Sequence, residues 1–225
     1  ITQNDLTGGI PSSYGNLSAL QKLSAAINNF TGSIPDALGH LMNLKIIALG
    51  VNRLSGTVPP SIFNLSSITV LDVTDNEING SLPSDLFITL CNLTFLGVGG
   101  NQFTGSLPVS LTNASNLIYL GANTNRLTGA VPSMEKLHKL KRFSVPANDL
   151  GSGEAGDLSF VSSLTNATSL HLLSLNGNNF GGVLPESIGN LSTTLTRFYV
   201  EYNSISGSIP TGIGNLISLD DLSMS

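Results

Sequence analysis

Residues Leu44-Lys45-Ile46-Ile47-Ala48-Leu49-Gly50-Val51-Asn52-Arg53-Leu54-Ser55-Gly56-Thr57-Val58-Pro59 decide the fold, because their spacing recurs along the whole chain. Leu44, Ile47, Leu49, Asn52, Leu54, Gly56, Val58 and Pro59 return as Ile68, Leu71, Val73, Asn76, Ile78, Gly80, Leu82 and Pro83, and the pattern repeats from Leu93 to Pro108 and from Leu170 to Pro185. Aligned on the asparagine, the anchors are Asn4, Asn28, Asn52, Asn76, Asn101, Asn125, Asn148, Asn178 and Asn203, with steps of 24, 24, 24, 25, 24, 23, 30 and 25. One unit cannot enclose its own apolar side, so each must be covered by its neighbours in a stack of coils.

Each position in the unit has a physical reason. The apolar residues five and three before the anchor alternate with small or polar ones, which predicts a short strand with Leu49, Val73, Val98 and Val200 facing the core. An asparagine side chain carries an acceptor and two donors, so it can satisfy backbone groups in its own coil and the next. Stacked, the anchors predict an asparagine ladder. The glycine permits a backbone that a Cβ would hinder, and the proline fixes φ and removes a donor from a second extended piece. With strands about 4.8 Å apart, nine units predict a curved parallel sheet roughly 40 Å long.

Composition narrows the function. The 225 residues are 40% hydrophobic with a mean hydropathy of +0.24, which excludes a disordered tail. Gly, Asn, Ser and Pro interrupt every apolar run, so none reaches the roughly 18 residues of a membrane span. A net charge of -5 from 14 acidic and 9 basic residues, without a basic cluster, argues against nucleic acid as a partner. The single cysteine, Cys91, is expected to be a small buried hydrophobe. His40, His138 and His171 fall in different coils, so no metal site is expected.

No catalytic motif in the sequence has the context its chemistry needs. Gly151-Ser152-Gly153-Glu154-Ala155-Gly156 is a literal G-x-G-x-x-G, but it lacks a βαβ unit and an acidic residue about twenty positions on, where Asn176 stands. It falls where the repeat near 151–160 carries about six extra residues, expected to bulge as a loop. The preceding coil is one residue short around Met134-Glu135-Lys136, where a change of twist is expected. No kinase, Walker, H-E-x-x-H or G-x-S-x-G signature occurs, so this stretch reads as a binding module that needs no cofactor.

Residues six, four and two before each anchor point outward from the predicted sheet. The first such column runs Lys22, Ile46, Val70, Phe95, Tyr119, Arg142, Leu172, Arg197 and Asp221. Ile46, Val70, Phe95, Tyr119 and Arg142 form a candidate peptide groove, beside a floor of Gly97, Gly99 and Gly121 expected to admit another backbone. A second patch is Arg197, Tyr199, Glu201 and Tyr202, with Asp221 following. Asp72, Asp75 and Glu77 are read chiefly as solvating the sheet.

The segments Gly32-Ser33-Ile34-Pro35, Gly56-Thr57-Val58-Pro59 and Gly207-Ser208-Ile209-Pro210 resemble the plant-specific class of leucine-rich repeat, and the likeness covers essentially the whole chain. The implied fold is an α/β-type repeat solenoid across 1–225, about nine repeats of ~24 residues, with a parallel sheet on the concave side and short 3-10 or irregular segments on the convex side. Asn148-Asp149-Leu150-Gly151, Asp157-Leu158-Ser159-Phe160, Ser163-Leu164-Thr165-Asn166 and Leu184-Pro185-Glu186-Ser187-Ile188-Gly189-Asn190-Leu191-Ser192 look like ectodomains of plant receptor kinases related to the bacterial-pattern immune receptors of rice and its relatives.

That resemblance implies an extracellular sensor of a peptide or protein at the plasma membrane, partnered by a co-receptor ectodomain. A membrane helix, a Ser/Thr kinase domain, a signal peptide and cysteine-paired caps are expected outside this stretch, whose ends should expose apolar core. A polygalacturonase-inhibitor-like cell-wall protein and a kinase-less receptor-like protein are the alternatives. N-x-S/T acceptors at Asn16, Asn29, Asn64, Asn79, Asn92, Asn113, Asn166 and Asn190 agree with a secretory route. Asn16, Asn64, Asn113 and Asn166 are expected on the convex or lateral side.

Overall fold

The computed structural model describes residues 1–225 as a stack of coils around one core of 57 buried apolar residues. Nine parallel strands make the inner sheet: Lys22–Ser24, Ile46–Ala48, Val70–Asp72, Phe95–Gly97, Tyr119–Gly121, Arg142–Ser144, Leu172–Ser174, Arg197–Tyr199 and Asp221–Ser223. Pairing is in phase with the repeat, so Ile46, Val70, Phe95, Tyr119 and Arg142 stand side by side as the spacing requires. Leu49, Val73, Val98 and Val200 are buried behind them.

The anchor asparagines form the ladder, with one difference of direction. Asn76 donates from Nδ2 to the carbonyls of Val73 (3.0 Å) and Thr74 (3.1 Å) in its own coil and of Leu49 (3.1 Å) in the preceding one. Its Oδ1 accepts from the N–H of Leu54, also in the preceding coil, at 2.9 Å. The cross-coil bonds thus run backward along the chain rather than to the next coil. The same set recurs at Asn101 and Asn203.

The residue before each anchor adopts the left-handed region whatever its identity: Ile27 (φ 56), Val51 (φ 56), Asp75 (φ 51), Thr124 (φ 52), Ala147 (φ 53) and Tyr202 (φ 56). For β-branched residues this costs on the order of 1–3 kcal/mol and persists only where surroundings over-determine it. Here they do. The Val51 N–H donates to Thr74 O at 2.7 Å, and the Val51 carbonyl accepts from the Asn28 N–H at 3.2 Å, so both neighbouring coils hold the bend.

Beyond the anchor, the chain enters a second, lateral sheet of seven strands that includes Asn29–Ser33, Arg53–Thr57, Glu77–Ser81 and Gln102–Ser106. Its register is sheared by two residues per coil, pairing Thr31 with Arg53 and Ser33 with Ser55. Gly56 turns at φ +76 within it. Pro35, Pro59, Pro108, Pro185 and Pro210 then precede single turns on the convex side, 3-10 at Asp36–His40 and Val109–Asn113 and α at Pro60–Phe63. Cys91 follows the convex turn Leu86–Thr89 and is exposed, which corrects the expectation that it is buried.

The lateral sheet stops at Asp149–Leu150 and resumes as a separate pair, Gly181–Val183 with Ser204–Ser206. The insertion fills the gap, and it is fastened rather than a free bulge. The Asp157 carboxylate accepts from the N–H groups of Ser152 (2.8 Å), Gly153 (3.0 Å) and Gly181 (3.0 Å) and from the Ser152 hydroxyl (2.9 Å). A Cβ on Gly181 would lie 2.1 Å from the Gly153 carbonyl carbon, so glycine is required for the loop to seat. Downstream, Phe160 enters the core and packs tilted between Phe143 and Phe180, with centroids 6.3 and 5.7 Å away.

Burial alone would raise the Asp157 pKa, but the donors from Ser152, Gly181 and Gly153 together outweigh it and hold the carboxyl below its ordinary value. A depressed folded pKa contributes stability that is present above the unfolded value of about 3.9 and is lost as pH falls through the folded one. Asp157→Asn is therefore expected to lower stability by on the order of 1–3 kcal/mol at neutral pH. In thermal melts across a pH series, the gap from the unsubstituted chain should narrow below about pH 4; a gap independent of pH would contradict the role given to the carboxylate.

Candidate ligand-binding face

The outward column on the inner sheet divides into three parts. Ile46, Val70, Phe95 and Tyr119 are half-buried neighbours, and the rings of Phe95 and Tyr119 stack with centroids 4.3 Å apart and planes within 5°. Offset or parallel stacking of this kind contributes about 0.5–1.5 kcal/mol beyond area burial. Next come Arg142, Leu172 and Arg197 in register on three consecutive strands. Arg142 and Arg197 line a cleft of about 290 Å³ with His171, Leu172 and Thr196. The sequence places the two arginines in separate patches, whereas the fold makes one surface of them.

The glycine floor is closed, contrary to expectation. Phe95 and Gly97 point to the same side of one strand, as do Tyr119 and Gly121, so each ring lies down over the glycine two residues on. A Cβ on Gly121 would meet the Tyr119 hydroxyl oxygen at 2.5 Å, and one on Gly97 would meet Asp72 Oδ1 at 2.8 Å and Phe95 Cε1 at 3.0 Å. Gly99 is covered by the side chain of Asn123. These glycines admit the protein's own aromatic rings rather than a foreign backbone, and the surface on offer is the upper face of the rings.

Electrostatics are mixed along the face. Burial, helped by the negative charge of Asp72 and opposed by Arg142, raises the pKa of Tyr119, which keeps its hydroxyl a neutral donor. Asp72 accepts from the Thr74 N–H at 3.1 Å, while Asp75 and Glu77 are exposed farther along the same coil, as solvating residues would be. At the other end the Tyr199 hydroxyl donates to Asp221, which raises the Tyr199 pKa. Tyr202 is 77% exposed, and Glu201 buries one carboxylate oxygen, Oε2, with no donor in reach.

The eight acceptor asparagines avoid this face. Asn16, Asn113, Asn166 and Asn190 end convex 3-10 turns, Asn64 caps a convex α turn, and Asn92 follows another. Asn29 and Asn79 lie on the lateral sheet. No group of three or more His, Cys, Asp or Glu lies close enough to hold a metal ion, and no helix is long and apolar enough to cross a membrane.

The Leucine Rich Repeat family profile matches residues 19–41, 92–114, 169–191 and 194–216. Over 89 residues, 40% of the chain and 9% of the relative, the sequence is 42% identical to the LRR receptor-like serine/threonine-protein kinase EFR of Arabidopsis thaliana. The plant peptide hormone receptor RGFR1, solved in complex with RGF2, superposes with a TM-score of 0.91 at 32% identity, over 99% of this chain and 34% of that one. The Arabidopsis receptor kinase HAESA, solved with the peptide hormone IDA and the co-receptor SERK1, gives a TM-score of 0.77 at 28% identity over 100% of this chain and 45% of that one. The chain thus spans less than half the length of each.

If burial under the aromatic pavement raises the Tyr119 pKa, Gly121→Ala should lift the ring and let the pKa fall toward the usual tyrosine value of about 10. Ultraviolet difference titration reads this directly. Because Tyr199 is raised as well, the titration is read in a Tyr199→Phe background, where a late-ionising tyrosine unchanged by Gly121→Ala would show that the ring does not rest on Gly121.

Proposed function

We propose, on the premise that this chain is a leucine-rich-repeat segment homologous to plant receptor-kinase ectodomains, that it recognises an extended peptide or protein segment outside the cell and promotes association with a co-receptor ectodomain. The observation that carries the proposal is one continuous column, Ile46 to Arg197, on the only broad sheet that bears none of the eight glycan acceptor sites. Six strand intervals at about 4.8 Å span roughly 29 Å, enough for about nine extended residues at 3.3 Å each.

The chemistry of the column specifies the ligand in part. An apolar or aromatic stretch would lie on Ile46, Val70, Phe95 and Tyr119, and an anionic group, such as a carboxylate, would enter the cleft between Arg142 and Arg197. Tyr199, Glu201 and Tyr202 would take polar groups beyond it. An immune signal is the finer reading, supported by the likeness of the segments around Asn148–Asn166 and Leu184–Ser192 to immune receptor kinases. The location at the plasma membrane and the attached kinase belong to this reading. A cell-wall inhibitor of polygalacturonase type, or a kinase-less receptor-like protein, would lack the kinase in the full reading frame.

A library of synthetic secreted-type peptides, screened by biolayer interferometry on the immobilised chain, tests the face. Binders should weaken about thirtyfold when Phe95 and Tyr119 are both changed to Ala, the equivalent of a 2 kcal/mol hot spot. Arg142→Ala with Arg197→Ala should weaken them comparably and flatten the salt dependence, while Thr57→Ala with Ser106→Ala on the lateral sheet should not. The reverse pattern would move the site off the inner sheet.

A further inference from the structure

The convex wall has one interruption. Neighbouring coils place Val109–Asn113 and Ser159–Asn166 there as short helical turns, but residues 130–134 form none. The missing turn leaves a notch of about 420 Å³, within the roughly 300–1,000 Å³ of sites that enclose small ligands. Ser133, Glu135, Ser159 and Ser162 supply polar walls, and Val131 and Phe160 form an apolar floor. Hydroxyl-rich walls over an apolar floor suit a pyranose ring, which presents hydroxyls at its rim and C–H bonds on its face.

Asn166 closes the rim of this notch and opens the acceptor sequence Asn166-Ala167-Thr168. Its Nδ2 donates across to the Glu135 carbonyl at 3.3 Å. Among the acceptor asparagines on the convex side, Asn92 and Asn166 have the amide nitrogen bonded into the preceding coil, and of the two Asn166 lines the notch; Asn113 instead accepts from Lys136 through Oδ1. The atom that would carry a sugar is therefore already aimed along the notch.

We infer that Asn166 carries an N-linked glycan whose first N-acetylglucosamine lies in the notch, standing in for the helical turn that the Asn125 coil lacks. The inference rests on the extracellular reading above. In the modification, a polyprenyl-diphosphate-linked oligosaccharide is the donor: a bond forms between Nδ2 and the anomeric carbon, the bond from that carbon to the diphosphate oxygen breaks, and one amide proton passes to base. The second amide hydrogen remains for the Glu135 carbonyl. The sugar's hydroxyls then face Ser133, Ser159 and Ser162, and its C–H face covers Val131 and Phe160, so the glycan shields the convex wall where the turn is missing.

The chain, secreted from mammalian cells held at the high-mannose stage and trimmed with an endoglycosidase that leaves one N-acetylglucosamine, tests this against Asn166→Gln and Thr168→Ala, with Asn64→Gln as control. Glycopeptide mapping should find Asn166 occupied. Hydrogen exchange at 131–136 and 159–166 should be at least tenfold slower in the trimmed chain than in the two variants lacking the acceptor, and unchanged by Asn64→Gln. An unoccupied Asn166, or equal exchange with and without the single sugar, overturns the inference. Because secretion is driven by a foreign leader, either result bears on the notch alone. Failure of the extracellular reading would appear separately, as a native protein carrying no glycan at any of the eight sites.

Discussion

An asparagine that spans two coils, buried at Asn28 and Asn148 and half-buried at the other anchors from Asn52 to Asn203, is the constraint on which the rest depends. Each anchor completes backbone groups that the turn after the inner strand would otherwise leave unpaired, and it does so for two coils at once. An unpaired buried polar group costs about 1–3 kcal/mol, so the ladder offsets a large penalty at every step of the stack. It also fixes phase. With the anchors in line, the inner strands meet in register and the left-handed residues before the anchors are held from both sides.

The ladder thereby sorts side chains among three walls. The inner sheet receives the columns at even positions before the anchor, the lateral sheet receives the hydroxyl-rich run after it, and the convex wall receives single turns led by proline. Where one wall departs from the repeat, its neighbours compensate. The insertion after Leu150 is seated by Asp157 on Gly181 and returns Phe160 to the core, beside the coil that lacks its convex turn. Fold class leaves the ligand open, because the residues on the inner wall rather than the coil geometry determine what fits.

The coil period, the buried face and the lateral neighbours on the inner sheet were legible in the sequence because one residue type recurs at nearly constant spacing. The exposure of Cys91 follows from register rather than from the general burial tendency of free cysteine. Cys91 stands ten before its anchor, where other coils carry Ser18, Met42, Ser66, Ser115 and His138, and that row pointed outward. The closed floor had a signal too: an aromatic two residues before a glycine on the same strand, at Phe95 with Gly97 and Tyr119 with Gly121. The joining of Arg142 and Arg197 across Leu172 follows from the register and needed only the column to be read without a break. The left-handed conformation of Ile27 and Val51 had no such signal, since their side chains disfavour it and only the neighbouring coils impose it. The seat of Asp157 depends on tertiary contact with Gly181, 24 residues away, and was equally invisible.

Hydrogen exchange on Asn101→Ala, at single-amide resolution, tests the ladder most directly. The amide of Ile78 in the preceding coil loses its acceptor, Asn101 Oδ1, while the carbonyls of Val73, Val98 and Gly99 each lose one of two donors and keep Asn76, Asn125 and the Asp75 N–H respectively. The account predicts that protection falls at Ile78 and at the inner strands Val70–Asp72 and Phe95–Gly97, while coils at the far ends of the stack retain theirs. Protection unchanged at Ile78, with loss confined to the substituted coil, would show that the coils are held in phase by packing alone and would contradict the account.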